Sequence, residues 1–160
     1  MTTKDKKPIV VLIHGGYHTP AHFDLLLRTI RAEYDVLAPA LTTVGWDDRI
    51  SGKTWRDDVA LLHSIIDPLM DQGRQIIILG HSMGGIVITH FSIGESVAER
   101  SALGKKGGVA AVFYLTAAVV PAGKSALEMN ARPSAPNVHD VDVSLPIDPR
   151  SPRPLTRTYD

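Results

Sequence analysis

A serine lies at the centre of residues 80–85, which read GHSMGG and directly follow the apolar run of residues 75–79. A serine hydroxyl at the tip of a tight strand-to-helix turn is the usual nucleophile of acyl transfer. Such a turn strains the backbone and leaves no room for side chains two positions away, a demand that Gly80 and Gly84 meet. The spacing therefore predicts Ser82 as a nucleophile on an elbow after a buried parallel strand.

A glycine-rich turn can also carry an incidental serine or hold a nucleotide. The chain has no G-x-G-x-x-G motif, and no lysine follows the glycines as it does in a phosphate-binding P-loop. After the elbow, Ile86, Val87 and Phe91 follow a helical spacing. This context favours the elbow over the alternatives.

A second loop of the same kind follows the apolar run of residues 8–13, where residues 14–17 read HGGY. Acyl transfer needs two backbone N–H groups aimed at the negative oxygen of the tetrahedral intermediate. One comes from the residue after the nucleophile and one from an earlier strand-to-helix loop. We expect Met83 and Gly16 to supply them, and we expect the His14 ring to hold the turn by hydrogen bonds rather than act as a base.

With residues 38–41, which read APAL, these motifs fall in the order seen in the α/β-hydrolase superfamily. The chain resembles the small cofactor-free esterases related to plant methyl esterases and hydroxynitrile lyases, over roughly residues 8–130. The resemblance implies an ester or similar carbonyl substrate, no cofactor, Ser82 as nucleophile, and Gly16 and Met83 as oxyanion donors. A cyanohydrin lyase ranks lower, because that chemistry uses cap residues that are not recognisable here.

Alternating apolar runs and amphipathic stretches predict an α/β fold with a parallel sheet. Its strands are predicted at about residues 8–13, 35–39, 75–79 and 109–115. Two helices have predicted core faces, made of Phe23, Leu26, Leu27 and Ile30 after an N-cap at Thr19, and of Val59, Leu62, Ile66 and Leu69. A third helix is predicted from the elbow to about Arg100.

The chain of 160 residues suits one domain, but members of the resembled family have more than about 200. We therefore expect a partial α/β-hydrolase core at residues 1–130 that lacks the last strands. Residues 131–160 hold six of the eleven prolines and form a predicted tail or start of a cap. Within it, residues 141–145 alternate as an edge strand would, and extended chain is expected beyond Pro146.

The seven histidines provide no evident base for Ser82. Six lie in the first loop, on helices or beside the nucleophile, namely His14, His18, His22, His63, His81 and His90. His139, with Asp140 or Asp142 beside it, forms the one relay that lies in the expected direction along the chain. Two hypotheses stay open: a serine hydrolase, and a non-catalytic remnant that binds a small apolar ligand or a protein partner.

Composition excludes several function classes. Zero net charge gives no electrostatic footprint for nucleic acid or an anionic membrane, and the absence of cysteine excludes disulfides and thiolate chemistry. A polar segment at residues 1–7 precedes an apolar run too short for a signal peptide or membrane span, which predicts a cytoplasmic protein. We expect self-association through an exposed edge strand at residues 109–115. Tyr17, Phe23 and Trp46 are candidates for the apolar wall of a pocket or for plain core packing, and core packing is favoured for Phe23.

Overall fold

A computed structural model describes residues 7–46 and 48–120 of the chain. Four parallel strands, β1 to β4, cover Ile9–Ile13, Asp35–Leu37, Gln75–His81 and Gly108–Leu115, in the spatial order β2-β1-β3-β4. Four helices, α1 to α4, cover Asp24–Arg31, Trp55–Asp71, Gly84–Phe91 and Val97–Ala102. The predicted α/β class with a parallel sheet is confirmed. The predicted tail, including His139 and residues 141–145, lies outside the described residues.

Strands β1 and β3 lie side by side at the centre of the sheet, with Ile13 paired to Gly80. From β1 the chain continues to β2 on one side, whereas from β3 it continues to β4 on the other. In open parallel sheets, ligands bind beyond the carboxyl ends of the strands where the order reverses in this way. The loops after β1 and β3 therefore meet where a ligand site is expected.

Helices α2 and α3 form the main core with the central strands, and Phe91 at the end of α3 is fully buried. The buried face of α2 consists of Asp58, Leu62, Ile66 and Met70. Leu62 and Ile66 confirm part of the predicted face, but Val59 and Leu69 are only partly buried. The buried residues lie four positions apart, whereas the predicted ones alternate between steps of three and four. The buried face of α2 therefore lies to one side of the predicted face and includes the Asp58 carboxylate.

The first helical segment differs from its prediction. Pro20–Phe23 forms a 3-10 turn before α1 begins at Asp24. Of the four predicted core residues only Leu27 is fully buried, and Leu26 is exposed. A 3-10 turn has three residues per turn rather than 3.6. The apolar side chains therefore point in other directions than they would on one continuous α-helix.

Two other elements end earlier than the approximate bounds predicted for them. β2 ends at Leu37 rather than at 39, close to Pro39, which has no N–H to donate to the ladder. The helix expected to reach Arg100 is two helices. Gly94 has φ 75° and separates them, and Ser96 opens α4 through a capping box with Glu99.

Strand β4 forms one edge of the described sheet, where Phe113, Tyr114 and Leu115 are 54%, 43% and 41% exposed. No helix within the described ranges has the length and hydropathy that crossing a membrane requires. A cytoplasmic location stays a prediction.

Candidate active site

Ser82 lies between β3 and α3 with φ 51°, in the left-handed region that non-glycine residues rarely adopt. Gly80 and Gly84 must be glycine, because a side chain at either position would clash with its surroundings. A Cβ atom at Gly80 would lie 2.6 Å from Ile88 Cδ1, and one at Gly84 would lie 2.5 Å from the carbonyl oxygen of Ile13. Ser82 thus has the strained turn, with side chains excluded on both sides, that the motif predicts.

The backbone of Ser82 is held by the end of β4 and by the segment that follows it. Its N–H donates to the carbonyl oxygen of Leu115 at 3.4 Å, and its own carbonyl accepts from the N–H of Ala118 at 2.9 Å. Gly85 permits this approach, because a Cβ atom there would lie 2.5 Å from the carbonyl oxygen of Ala118. The half-buried Ser82 hydroxyl has no hydrogen-bond partner among the described residues.

The loop after β1 contacts the elbow directly. A Cβ atom at Gly15 would lie 2.7 Å from Ser82 Cβ, and one at Gly16 would lie 3.7 Å from Met83 Sδ. Within the described part of the chain, the backbone N–H groups of Gly16 and Met83 donate to no protein acceptor. The structure therefore brings together Ser82 and both predicted oxyanion donors, and leaves those donors available to a ligand.

His14 is buried beneath this loop and makes two hydrogen bonds. Its Nδ1–H donates to the carbonyl oxygen of Gly15 at 2.9 Å, and its Nε2 accepts from the N–H of Leu41 at 3.1 Å. Accepting at Nε2 requires the neutral ring. Burial lowers the pKa of His14, against smaller opposing effects of the Gly15 carbonyl and the Asp58 charge. The expectation that His14 holds the turn is confirmed.

Three more aromatic rings gather beside the elbow around His18. Its ring centroid lies 5.1 Å from that of His22, 5.1 Å from that of His81 and 6.1 Å from that of Phe23. Burial, and then the nearby charge of His18, lower the pKa of His81, whose buried Nδ1 has no hydrogen-bond partner. Over the described ranges, no histidine hydrogen-bonds to Ser82 and no cluster of side chains is arranged to hold a metal ion.

A cleft of about 470 Å³ opens beside Gly16 and Met83. Its lining residues are Gly16, Tyr17, Thr19, His22, Thr43, Val44, Gly45, Trp46, Ile50 and Met83. Tyr17 and Trp46, two of the predicted wall residues, line it and are 92% and 94% exposed. Phe23, the third, packs against His18 and His81 instead. Among the described residues that line the cleft, none is Asp, Glu, Lys or Arg.

Sequence reasoning missed the anchor of the cleft wall. Asp58, fully buried on α2, accepts hydrogen bonds from the N–H and hydroxyl of Thr42 at 2.7 and 2.8 Å. It also accepts from the N–H and hydroxyl of Thr43 at 3.1 and 2.6 Å. The available signal was an aspartate four residues before Leu62, on the face of α2 that continues into the core.

Known proteins resemble this chain over a shared part of their length. Alpha/beta hydrolase nvfD of Aspergillus novofumigatus is 27% identical over 120 residues, which are 74% of this chain and 46% of that protein. An extracellular alpha/beta-hydrolase from a Paenibacillus species superposes with a TM-score of 0.54 at 21% identity, covering 71% of this chain and 42% of its own. A PytH variant gives 0.57 at 28% identity, covering 88% and 53%.

The chain thus spans about half the length of the relatives that it matches. The model of the alpha/beta hydrolase family matches residues 10–159, which is nearly the whole chain. With the parallel sheet, the strained serine elbow and the glycine loop beside it, this match shows that the chain belongs to the alpha/beta hydrolase family.

Proposed function

We propose that this chain carries the nucleophile and oxyanion donors of a serine hydrolase that acts on a small carboxylic ester or a related carbonyl compound. The observation that supports this most directly is the position of Ser82. It lies on a strained turn, in contact with Gly15, beside a cleft of about 470 Å³ and two N–H groups that no described residue accepts from. Strained backbone at a pocket edge is typical of catalytic positions.

In the proposed reaction the Ser82 hydroxyl oxygen attacks the carbonyl carbon, and its proton passes to a base. The carbonyl oxygen becomes negative and accepts hydrogen bonds from the N–H groups of Gly16 and Met83, each worth about 3 to 4 kcal/mol in related sites. Collapse of this intermediate breaks the bond to the leaving oxygen, which takes the proton back from the base and departs as the alcohol, and the acyl group stays as an ester on Ser82. Water then hydrolyses that ester. The sequence provides no evident base for Ser82, and His139, with Asp140 or Asp142 beside it, is the one histidine that lies in the expected direction along the chain.

Covalent labelling tests the proposal. An alkyl fluorophosphonate should label the 160-residue chain once, at Ser82, and Ser82→Ala should abolish the labelling. Ser92→Ala is the matched control, because Ser92 follows α3 and its buried hydroxyl has no hydrogen-bond partner. Hydrolysis of a short-chain p-nitrophenyl ester should follow the same pattern. Absence of labelling from the unmodified chain would contradict the proposal.

A non-catalytic form is the second candidate. It is supported by the described histidines, none of which hydrogen-bonds to Ser82. A serine hydroxyl without a positioned base is a weak nucleophile. In this form the same cleft binds a small apolar ligand, or the chain binds a protein partner, without turnover. Ester hydrolysis that depends on Ser82 would exclude it, whereas saturable binding of an apolar dye without labelling would support it.

A further inference from the structure

Asp58 is a charged side chain that is entirely buried near the cleft and that the proposed reaction does not use. We propose that Asp58 is a positioning residue that holds the cleft wall at residues 43–46 against the loop carrying Gly16. It does so through its hydrogen bonds to Thr42 and Thr43. The effect of this role on substrate rests on the proposed function above, but the structural role stands apart from it.

The contacts of Asp58 account for its burial. The two threonines supply four donors to the carboxylate, two from the backbone and two from side chains, three of them to Oδ1 and one to Oδ2. A buried carboxylate without such partners would be costly, because it has lost its hydration. Both hydroxyls are committed as donors, so the carboxylate fixes the backbone and the side chains of residues 42 and 43 together.

The same segment is held from its other side by the oxyanion loop. The N–H of Leu41 donates to His14 Nε2, and His14 Nδ1 donates to the carbonyl oxygen of Gly15. Residues 41–43 therefore connect two anchors, α2 through Asp58 and the loop after β1 through His14. The wall residues Thr43, Val44 and Trp46 begin at the Asp58 anchor.

This arrangement predicts which step changes when Asp58 is replaced. Gly15 lies against Ser82, and Gly16 lies near Met83, without contact to Asp58, so attack on a small substrate should persist. The cleft wall at residues 43–46 should move when Asp58 is replaced, so a large substrate should fit the cleft less well. Asp58→Ala removes all four hydrogen bonds. Asp58→Asn keeps the three bonds to Oδ1 if its oxygen stays there, and its amide then requires the Thr43 hydroxyl to turn and accept.

The experiment measures residue-resolved amide hydrogen exchange and the rate of Ser82 labelling in the full chain. Exchange at Thr42 and Thr43 should quicken about tenfold or more in Asp58→Ala, and less in Asp58→Asn and Thr43→Val. Labelling by a small alkyl fluorophosphonate should stay within about twofold, whereas labelling by a bulky aryl probe should fall about tenfold. Asp67→Asn, an exposed carboxylate on the same helix that contacts His63, is the control and should change neither quantity.

Unchanged exchange at Thr42 and Thr43 in the replaced proteins would overturn the role of Asp58. An equal loss with the small and the bulky probe would overturn its effect on the cleft wall. If Asp58→Ala does not fold, Asp58→Asn and Thr43→Val decide the question with the same two measurements. If the unmodified chain is not labelled, the proposed function is contradicted. The hydrogen-exchange measurement still tests whether Asp58 holds Thr42 and Thr43.

Discussion

Gly15 and Ser82 touch backbone to side chain: a Cβ atom added at Gly15 would lie 2.7 Å from Ser82 Cβ. Real Cβ atoms do not approach so closely, so this contact exists only because residue 15 has no side chain. The neighbouring Gly16 differs, since a Cβ atom there would have its nearest neighbour, Met83 Sδ, at 3.7 Å, an ordinary contact distance. Two adjacent glycines thus have different reasons to be glycine.

Gly15→Ala should therefore displace Ser82 from the oxyanion loop and slow its labelling by a fluorophosphonate about 100-fold, the cost of a misplacement near 1 Å. Gly16→Ala keeps its backbone N–H and should slow labelling by less than about tenfold. Rate constants for labelling of the two proteins, compared at equal folded fraction, check this. Similar losses in both would show that the contact with Ser82 is not the cause.

Gly84 tests the elbow as a folding element. A Cβ atom there would lie 2.5 and 2.7 Å from the carbonyl oxygens of Ile13 and His14, which are backbone atoms of a central strand and its loop. Gly84→Ala should lower the free energy of unfolding by about 1 to 3 kcal/mol or more, as overpacking does. Gly45→Ala, which meets only the side chain of Ile50 at 3.1 Å, should cost less than about 1 kcal/mol. Urea denaturation of both proteins measures the difference.

Two histidines make stability depend on pH. The pKa values of His14 and His81 are lowered below 6.5, in each case mainly by burial. Just below pH 6.5 the unfolded chain therefore binds more protons than the folded chain. The contribution to stability is complete above about pH 6.5 and is lost as the pH falls toward the folded-state pKa values.

His81→Phe should flatten this dependence, because the new ring preserves contact with His18 and Phe23 and does not titrate. It also removes a buried Nδ1 that lacks a partner, so the stability at about pH 7.5 should be kept or raised. Free energies of unfolding at about pH 7.5 and 5.5, for this variant and the unmodified chain, test the assignment. An unchanged pH slope would contradict it.

The exposed edge of β4 predicts self-association. At Val109 this edge pairs with Glu95 and Ser96. Further along, its apolar side chains and the backbone groups that no described residue pairs offer a template for pairing with a second chain. Phe113→Lys should reduce association, since a charged edge residue opposes pairing, whereas Leu25→Lys, at an 82% exposed position on α1, should not. Light scattering at micromolar concentration measures the mass. A strictly monomeric unmodified chain would contradict this prediction.

The sequence predicts the elbow well because all of its signals are local. An apolar run, two glycines around Ser82 and a helical continuation occupy adjacent positions, so no distant contact is needed to recognise them. The break between α3 and α4 was also readable, from Gly94 and the capping box that joins Ser96 to Glu99. Local stop and start signals of this kind outweigh a continuous apolar pattern in setting where a helix ends.

The cleft wall could not be predicted in the same way. Asp58 looks like a surface residue among the charges that open α2, and its partners Thr42 and Thr43 are 16 and 15 residues away. Only the packed position of α2 turns its carboxylate inward, and this position depends on α3 and the central strands. Phe23 is apolar and would suit the cleft wall, but it packs against the rings of His18 and His81.

The hydrogen bonds from the end of β4 to Ser82 have a consequence for synthesis of the protein. The elbow, the glycine loop and the wall segment are all encoded before residue 86. The Ser82 N–H gains its acceptor only with Leu115, and the Ser82 carbonyl oxygen, which already accepts from Gly85, gains its second donor only with Ala118. A nascent chain therefore cannot complete these hydrogen bonds until Ala118 has followed the serine out of the ribosomal exit tunnel.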